Sequence, residues 1–140
     1  MAETIHVDIV SAEGEIFAGE AKMVFLPASE GEIGVAPRHA PLLTLLKAGE
    51  VRVQPEEGDE LSFYVGGGAL EVQPRRVTVL ADTAARAADL DEAAAESARQ
   101  RAEEALAGKI DKIEQAEALA ELARAAAQLK LIQRLRKIKG

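Results

Sequence analysis

The chain has 140 residues with 48% apolar residues, a formal charge of −7, no Cys, no Trp, three Phe and one Tyr. That is enough for one ordinary domain, or a compact domain with an appendage, around an aliphatic core. It excludes disulfides and thiolate metal sites, leaves few stacking surfaces for bases, and argues against nonspecific nucleic-acid binding.

No apolar run approaches the roughly 18–20 residues that span a bilayer. Met1-Ala2-Glu3-Thr4-Ile5-His6 lacks a basic segment followed by an apolar one, so no signal peptide is expected and the chain should stay in the cytosol. Charge is distributed unevenly. Residues 1–84 hold 14 acidic and 6 basic side chains, whereas residues 85–140 hold 10 acidic and 11 basic. From Leu122 onward come Arg124, Lys130, Arg134, Arg136, Lys137 and Lys139 without a carboxylate side chain. An acidic body with a basic tail suits an acidic partner, inside the chain or outside it.

Composition and period both change near Thr83. Residues 1–84 contain all five Pro and nine of the Gly; beyond them Ala dominates. The expected organisation is a β domain, a sandwich or a barrel of short strands, over 1–84 and a helical hairpin over 85–140. Ile5-His6-Val7-Asp8-Ile9 alternates apolar and polar, as a half-covered strand does, with His6 on the polar, exposed side. Ser11-Ala12-Glu13-Gly14 predicts a turn. Met23-Val24-Phe25-Leu26 is a short strand closed by Pro27. Ser29-Glu30-Gly31-Glu32-Ile33-Gly34 and Pro37-Arg38-His39-Ala40-Pro41-Leu42-Leu43-Thr44 are expected as loops whose Gly and Pro set backbone angles. Val51-Arg52-Val53 and Leu61-Ser62-Phe63-Tyr64-Val65 flank Pro55-Glu56-Glu57-Gly58-Asp59 as a hairpin. Gly66-Gly67-Gly68 is expected as a flexible break, serving as a bend or a close backbone approach. Leu70-Glu71-Val72 and Val77-Thr78-Val79-Leu80 form another hairpin around Gln73-Pro74-Arg75.

The second part predicts two helices. Asp89 or Asp91 caps the first, which runs to about Leu106 and is broken by Gly108. The second runs from about Asp111 to Ile138. Their Ala content suits close antiparallel packing. At about 17 and about 28 residues, the second helix overshoots the first by roughly 16 Å. The overshoot carries Leu131, Ile132, Leu135 and Ile138 among its cations, and these side chains need a partner beyond the first helix.

Catalytic groups are scarce. There is no Cys, the only His are His6 and His39, and no pair of carboxylates is singled out for acid–base work. Gly66-Gly67-Gly68-Ala69 is not followed by Lys-Ser/Thr or a helix and is no P-loop. No catalytic or metal residue, and no cofactor, is assigned.

The two loop runs, together with Gly66-Gly67-Gly68-Ala69-Leu70-Glu71-Val72-Gln73-Pro74, Val77-Thr78-Val79-Leu80-Ala81-Asp82-Thr83-Ala84, Asp89-Leu90-Asp91-Glu92 and Arg101-Ala102-Glu103-Glu104, resemble the epsilon subunit family of bacterial F-type ATP synthases over essentially the whole chain. The resemblance implies a β-sandwich of about ten strands followed by an antiparallel two-helix hairpin. It implies a non-catalytic rotor subunit of the central stalk, peripheral on the cytoplasmic face of the bacterial inner membrane. Its partners would be the gamma subunit and the c-subunit ring, with a catalytic beta subunit met when the hairpin extends and blocks ATP hydrolysis. Glu32 matches a position facing the c ring and His39 one facing gamma. By the same resemblance Lys130, Arg134, Arg136 and Lys137 would form the inhibitory basic tail. Some members of the family bind regulatory ATP through Ile/Leu-Asp-x-x-Arg-Ala. Here Leu90-Asp91-Glu92-Ala93-Ala94-Ala95 has Ala94 in place of that Arg; Arg101 and Arg124 match supporting arginines and Gln128 replaces another. Asp91, Arg101 and Arg124 are thus the candidate contacts for a weak nucleotide site, with Asp91 better explained as a helix cap. The alternatives from other classes are a free nucleotide-sensing protein and a static structural adaptor.

Overall fold

The computed structural model describes residues 3–139, with the side chain of Lys139 outside the described part. The chain forms two compact units that divide between Ala87 and Ala88. The division falls three residues beyond the composition break because a further short strand, paired within the first unit, follows it.

The first unit has eight strands: β1 (Ile5–Ser11), β2 (Gly14–Ala21), β3 (Met23–Ala28), β4 (Gly31–Val35), β5 (Leu42–Gln54), β6 (Leu61–Gln73), β7 (Arg76–Ala81) and β8 (Ala84–Arg86). They hydrogen-bond in the order β2-β1-β7-β6-β5-β3-β4, with β8 on β6. All pairs are antiparallel except β1 with β7.

The two 13-residue strands, β5 and β6, make a sandwich from this single sheet. The first half of β6 lies between β5 and β8, with Phe63 opposite Arg86 and Val65 opposite Ala84. Its second half lies between β5 and β7, from Gly68 opposite Ala81 to Gln73 opposite Arg76. Among the described residues there are eight strands where the resemblance implies about ten, with β5 and β6 each running unbroken for 13 residues.

Gly66-Gly67-Gly68 is therefore no break but the bend inside continuous β6. Gly67 and Gly68 have φ of 104° and 138°, a region that L side chains rarely adopt. Backbone bonds Gly66 N–H to Thr83 O (2.8 Å) and Asp82 N–H to Gly67 O (2.9 Å) hold the bend.

Pro27 does not close β3. The strand continues to Ala28, and the register with β5 shifts between Phe25 and Ala28. Pro27 sits at that irregularity, where its missing N–H removes no ladder bond. Gly49 faces it, and a Cβ there would lie 2.8 Å from Pro27 Cβ. The two expected loops are shorter than the sequence suggests, since Gly31–Val35 and the residues from Leu42 onward are strand. Their Gly and Pro mark the turns, not the whole runs.

The core lies between the layers. Ile5, Val7 and Ile9 from β1, Val24 and Leu26 from β3, Val51 and Val53 from β5, Phe63, Val65, Leu70 and Val72 from β6, and Val77 and Val79 from β7 are all buried. Each fully buried aliphatic side chain of this kind contributes about 1.5–3 kcal/mol.

The second unit is α1 (Glu92–Ala107) and α2 (Lys112–Lys139), preceded by a 3-10 turn at Ala87–Asp89. Asp91 caps α1 by accepting from Ala94 N–H at 3.1 Å, and Asp111 caps α2 through Glu114 N–H at 2.8 Å. Gly108 ends α1, its N–H reaching Ala105 O. The helices run antiparallel, with Arg101 on Glu121 and, further from the turn, Arg136 on Glu92. Ala95, Ala102, Ala118 and Ala125 are buried, the small side chains allowing close approach. With 16 and 28 residues, α2 exceeds α1 by about 18 Å of helix.

Candidate functional site

Strand alternation gives β1, β7, β6 and β5 an outward face opposite the core. The register arranges its side chains in rows. Val10, Leu80, Ala69 and Leu45 are successive partners across the four strands. The next row is Asp8, Thr78, Glu71 and Leu43, and the third begins with Glu20 of β2, His6, Arg76 and Gln73.

One end of this face is apolar. Leu43 is 75% exposed, Leu45 66% and Leu80 55%. A lone exposed Leu needs no explanation, but neighbouring ones on a rigid sheet mark an interaction surface. These residues were not singled out from sequence. The available signal was Leu42-Leu43-Thr44-Leu45-Leu46, a strand segment with apolar residues of both parities, so that one face had to bring leucine outward.

The other end is polar and closely paired. His6 Nδ1 lies 2.7 Å from Glu20 Oε2, and His6 Nε2 lies 2.9 Å from Asp8 Oδ1. Asp8 is also ion-paired with Arg76. Thr4 Oγ1 donates to the other Glu20 oxygen at 2.9 Å. The hydrogen bond His6 donates to Glu20, then that to Asp8, raises the His6 pKa above its ordinary 6.5. The same bond from His6 lowers that of Glu20. His6 is on the polar side of β1, as expected, but it is engaged on both ring nitrogens.

His39 lies in the loop leading to this face. Arg38 before it has a φ of 69°, uncommon for a residue with a side chain, and is held by its N–H on Pro74 O (2.8 Å) and by an ion pair with Glu3 (2.6 Å). His39 Nδ1 is 2.7 Å from Ala40 O. Glu32 is placed elsewhere, on β4. Arg52 of β5 pairs with it at 3.2 Å and with Glu60 at 3.7 Å, while its guanidinium stacks on Phe25 at 4.4 Å. Glu32 and His39 thus belong to different elements and do not form one cluster.

On the hairpin, Asp91 is the N-cap of α1, engaged with backbone. Arg101 is ten residues further on, about 15 Å along the helix. It donates to Ser97 Oγ at 3.5 Å and Glu121 Oε1 at 3.4 Å. Arg124 stands one turn beyond Glu121 on α2. Arg101 is thus already engaged by a carboxylate of the facing helix, and Asp91 stands apart.

In the tail, Lys130 and Lys137 are exposed, and Arg134 is half-buried. Arg136 donates to Glu92 Oε2 at 2.6 Å. Leu131 is buried, Ile132 and Leu135 are half-buried, and Ile138 is 67% exposed.

The fold and surface together define a two-part protein, a β-sandwich with an apolar outward face followed by a hairpin with one overlong helix. Residues 4–87 match the family described as ATP synthase, Delta/Epsilon chain, beta-sandwich domain, and residues 88–133 match its long alpha-helix domain. The chain is 65% identical to the ATP synthase epsilon chain of Nitrosococcus oceani over the full length of both, and 63% identical to that of Alkalilimnicola ehrlichii over 96% of each. Among solved structures it is similar in fold to a chain of the Euglena gracilis mitochondrial ATP synthase OSCP/F1/c-ring assembly (TM-score 0.70, 18% identity, 98% of this chain and 82% of that one). A second is a chain of the Tetrahymena thermophila mitochondrial ATP synthase central stalk/c-ring (TM-score 0.64, 11% identity, 93% and 97%). The chain belongs to the ATP synthase epsilon-chain family and is a non-catalytic subunit of that complex.

Proposed function

We propose that the chain is a central-stalk rotor subunit of F-type ATP synthase, which couples gamma to the c ring during proton-driven synthesis and inhibits ATP hydrolysis through mobile C-terminal helices. The observation that carries this reading is the apolar outward face, Leu43, Leu45 and Leu80, set beside the His39 loop: it is the surface a rotor partner would cover, and gamma is assigned to it. Glu32, at the edge of the sandwich with Arg52 behind it, is assigned to the c ring. The complex then holds the chain peripherally on the cytoplasmic face of the inner membrane; among the described residues no helix is long and apolar enough to cross a membrane. The test is co-purification with gamma, followed by hydrolysis assays with and without residues 88–140. Failure to bind gamma would overturn the rotor assignment, and equal hydrolysis rates would overturn the inhibitory one.

Inhibition is assigned to the basic tail acting on an acidic surface of the catalytic beta subunit. Exposed ion pairs contribute about 0–1 kcal/mol each, so no single cation should control it. Changing Arg134, Arg136 and Lys137 together to Ala is expected to relieve inhibition of hydrolysis several-fold at fixed ionic strength, with assembly unchanged; unaltered inhibition would point to apolar packing of the tail instead. The Glu92–Arg136 pair also favours a second reading, a static adaptor whose hairpin stays closed. Crosslinking α1 to α2 separates the two, since an adaptor's hydrolysis rates would not change.

Regulatory ATP has little to hold it. Ala94 replaces a motif arginine, and Glu121 already occupies Arg101. Losing one charge-assisted phosphate contact costs roughly 1.5–3 kcal/mol. Calorimetry on the isolated chain is expected to show dissociation in about the millimolar range, on the order of −4 kcal/mol, or no heat. Low-micromolar binding would show that other residues make the phosphate contacts.

A further inference from the structure

Both ring nitrogens of His6 face carboxylates, Glu20 on one side and Asp8 on the other. A neutral imidazole has one donor and one acceptor, so it satisfies only one of them and turns a lone pair toward the second. The imidazolium donates to both. The geometry is therefore that of a charged histidine, and each contact joins it to a different part of the sheet margin.

Through Glu20, His6 ties β1 to β2, which ends the strand order and, among the described residues, is ladder-paired with β1 alone, its other tie being the Arg86 side chain of β8 on Ile16 O at 3.3 Å. Through Asp8 it is linked to Arg76 of β7. The charged groups facing it are Glu20 from β2, Asp8 from its own strand and Arg76 from β7. With His6 protonated this group is neutral; with His6 neutral it carries one net negative charge. The group lies on the same face as Val10, Leu80, Ala69, Leu45 and Leu43, with Asp8 in the row of Leu43 and His6, Glu20 and Arg76 in the row beyond it.

We propose that His6 is a proton-operated clasp: as an imidazolium it fastens edge strand β2 and neutralises the polar margin of the docking face, so that both the edge and partner docking on this face weaken when the proton is lost. The docking half rests on the assignment of gamma to this face; the clasp itself does not.

The direction follows from the sign of each shift. The His6 pKa is raised on folding, so its contribution is complete below 6.5 and is lost as pH rises through the higher, folded value. The Glu20 pKa is lowered, so its contribution is present above 4.5 and is lost as pH falls through the lower, folded value. The clasp is closed between these limits and opens as pH rises through the raised His6 value.

The test uses the full chain. Imidazole resonances of His6 are followed by NMR against pH, and amide-exchange protection is measured at Phe17, Gly19 and Ala21, whose N–H groups face β1, relative to β5, corrected for intrinsic rates. The expected result is a His6 midpoint above 6.5 and a roughly two- to fivefold loss of β2 protection across it, the size an exposed charge pair supports. His6→Gln should abolish the pH dependence of protection, and Glu20→Gln should move the His6 midpoint downward. A His6 midpoint at or below 6.5, or the same β2 profile in parent and His6→Gln, overturns the clasp. Gamma affinity at pH 6 and pH 8.5 is then compared for parent and His6→Gln. A parent that loses affinity at high pH when the variant does not supports the linkage; equal pH dependence in both overturns it. A parent that does not bind gamma at all overturns the docking half and the partner assignment, while the exchange result stands.

Discussion

Changing Leu45 and Leu80 together to Asp is expected to weaken binding to gamma by about 100-fold or more, while leaving the isolated chain as stable as the parent. In the free chain both side chains are exposed, so little burial is lost, and surface changes of this kind usually stay within about 0.5 kcal/mol. On docking the balance reverses. Two apolar anchors near the centre of an interface are lost, and anchors of that type cost about 2 kcal/mol or more each when truncated. Two carboxylates would also have to be desolvated without partners. Thermal unfolding and a binding isotherm against purified gamma check the two halves separately. Undiminished affinity in a folded variant would place the docking surface elsewhere on the sandwich. His39→Ala provides a scale: its ring is held on the neighbouring Ala40 carbonyl, so its loss is expected to reduce affinity less.

Gly68→Ala is expected to destabilise the sandwich by at least about 3 kcal/mol, lowering its Tm by more than about 12 °C if the first unit unfolds as a domain of this size normally does. A Cβ there would lie 2.1 Å from Leu80 O and 2.9 Å from Ala81 Cα. Both are backbone atoms, so no side-chain rotation relieves the clash; β7 must move away from β6. The φ of 138° adds conformational strain. Gly58→Ala is the control. Its φ is 96°, but nothing lies within 4 Å of the added Cβ, so only the backbone term remains, about 1–2 kcal/mol. Equal losses at the two positions would show that the close approach at Gly68 contributes nothing. Because Leu80 belongs to the face proposed to dock on gamma, Gly68→Ala should also weaken gamma binding in whatever fraction still folds.

Much of this architecture was legible along the chain. Ile5-His6-Val7-Asp8-Ile9 has the strict alternation of a strand with one covered face, and the structure covers Ile5, Val7 and Ile9. Asp91, Gly108 and Asp111 bound the two helices as their capping chemistry requires. These features are local: each depends on a few consecutive residues and their backbone hydrogen bonds. Pro27 and Gly66-Gly67-Gly68 misled because the same residues that end strands also bend them. Which of the two happens depends on what lies alongside, here Gly49 beside Pro27 and the β7 backbone beside Gly68.

The sequence by itself determined the two-part organisation, the helix limits and the membership of a family, because periodicity, caps and ordered motifs are properties of short segments. The tertiary structure alone decided which faces are left open and which charges meet. Alternation says that a strand has two faces, but not which one a second layer covers; the exposure of Leu43, Leu45 and Leu80 follows from the pairing of three strands. Likewise His6 meets Glu20 across 14 positions, and Asp8 meets Arg76 across 68. No local rule brings such residues together. Strand register does, and register is set by burial of the core on the opposite face.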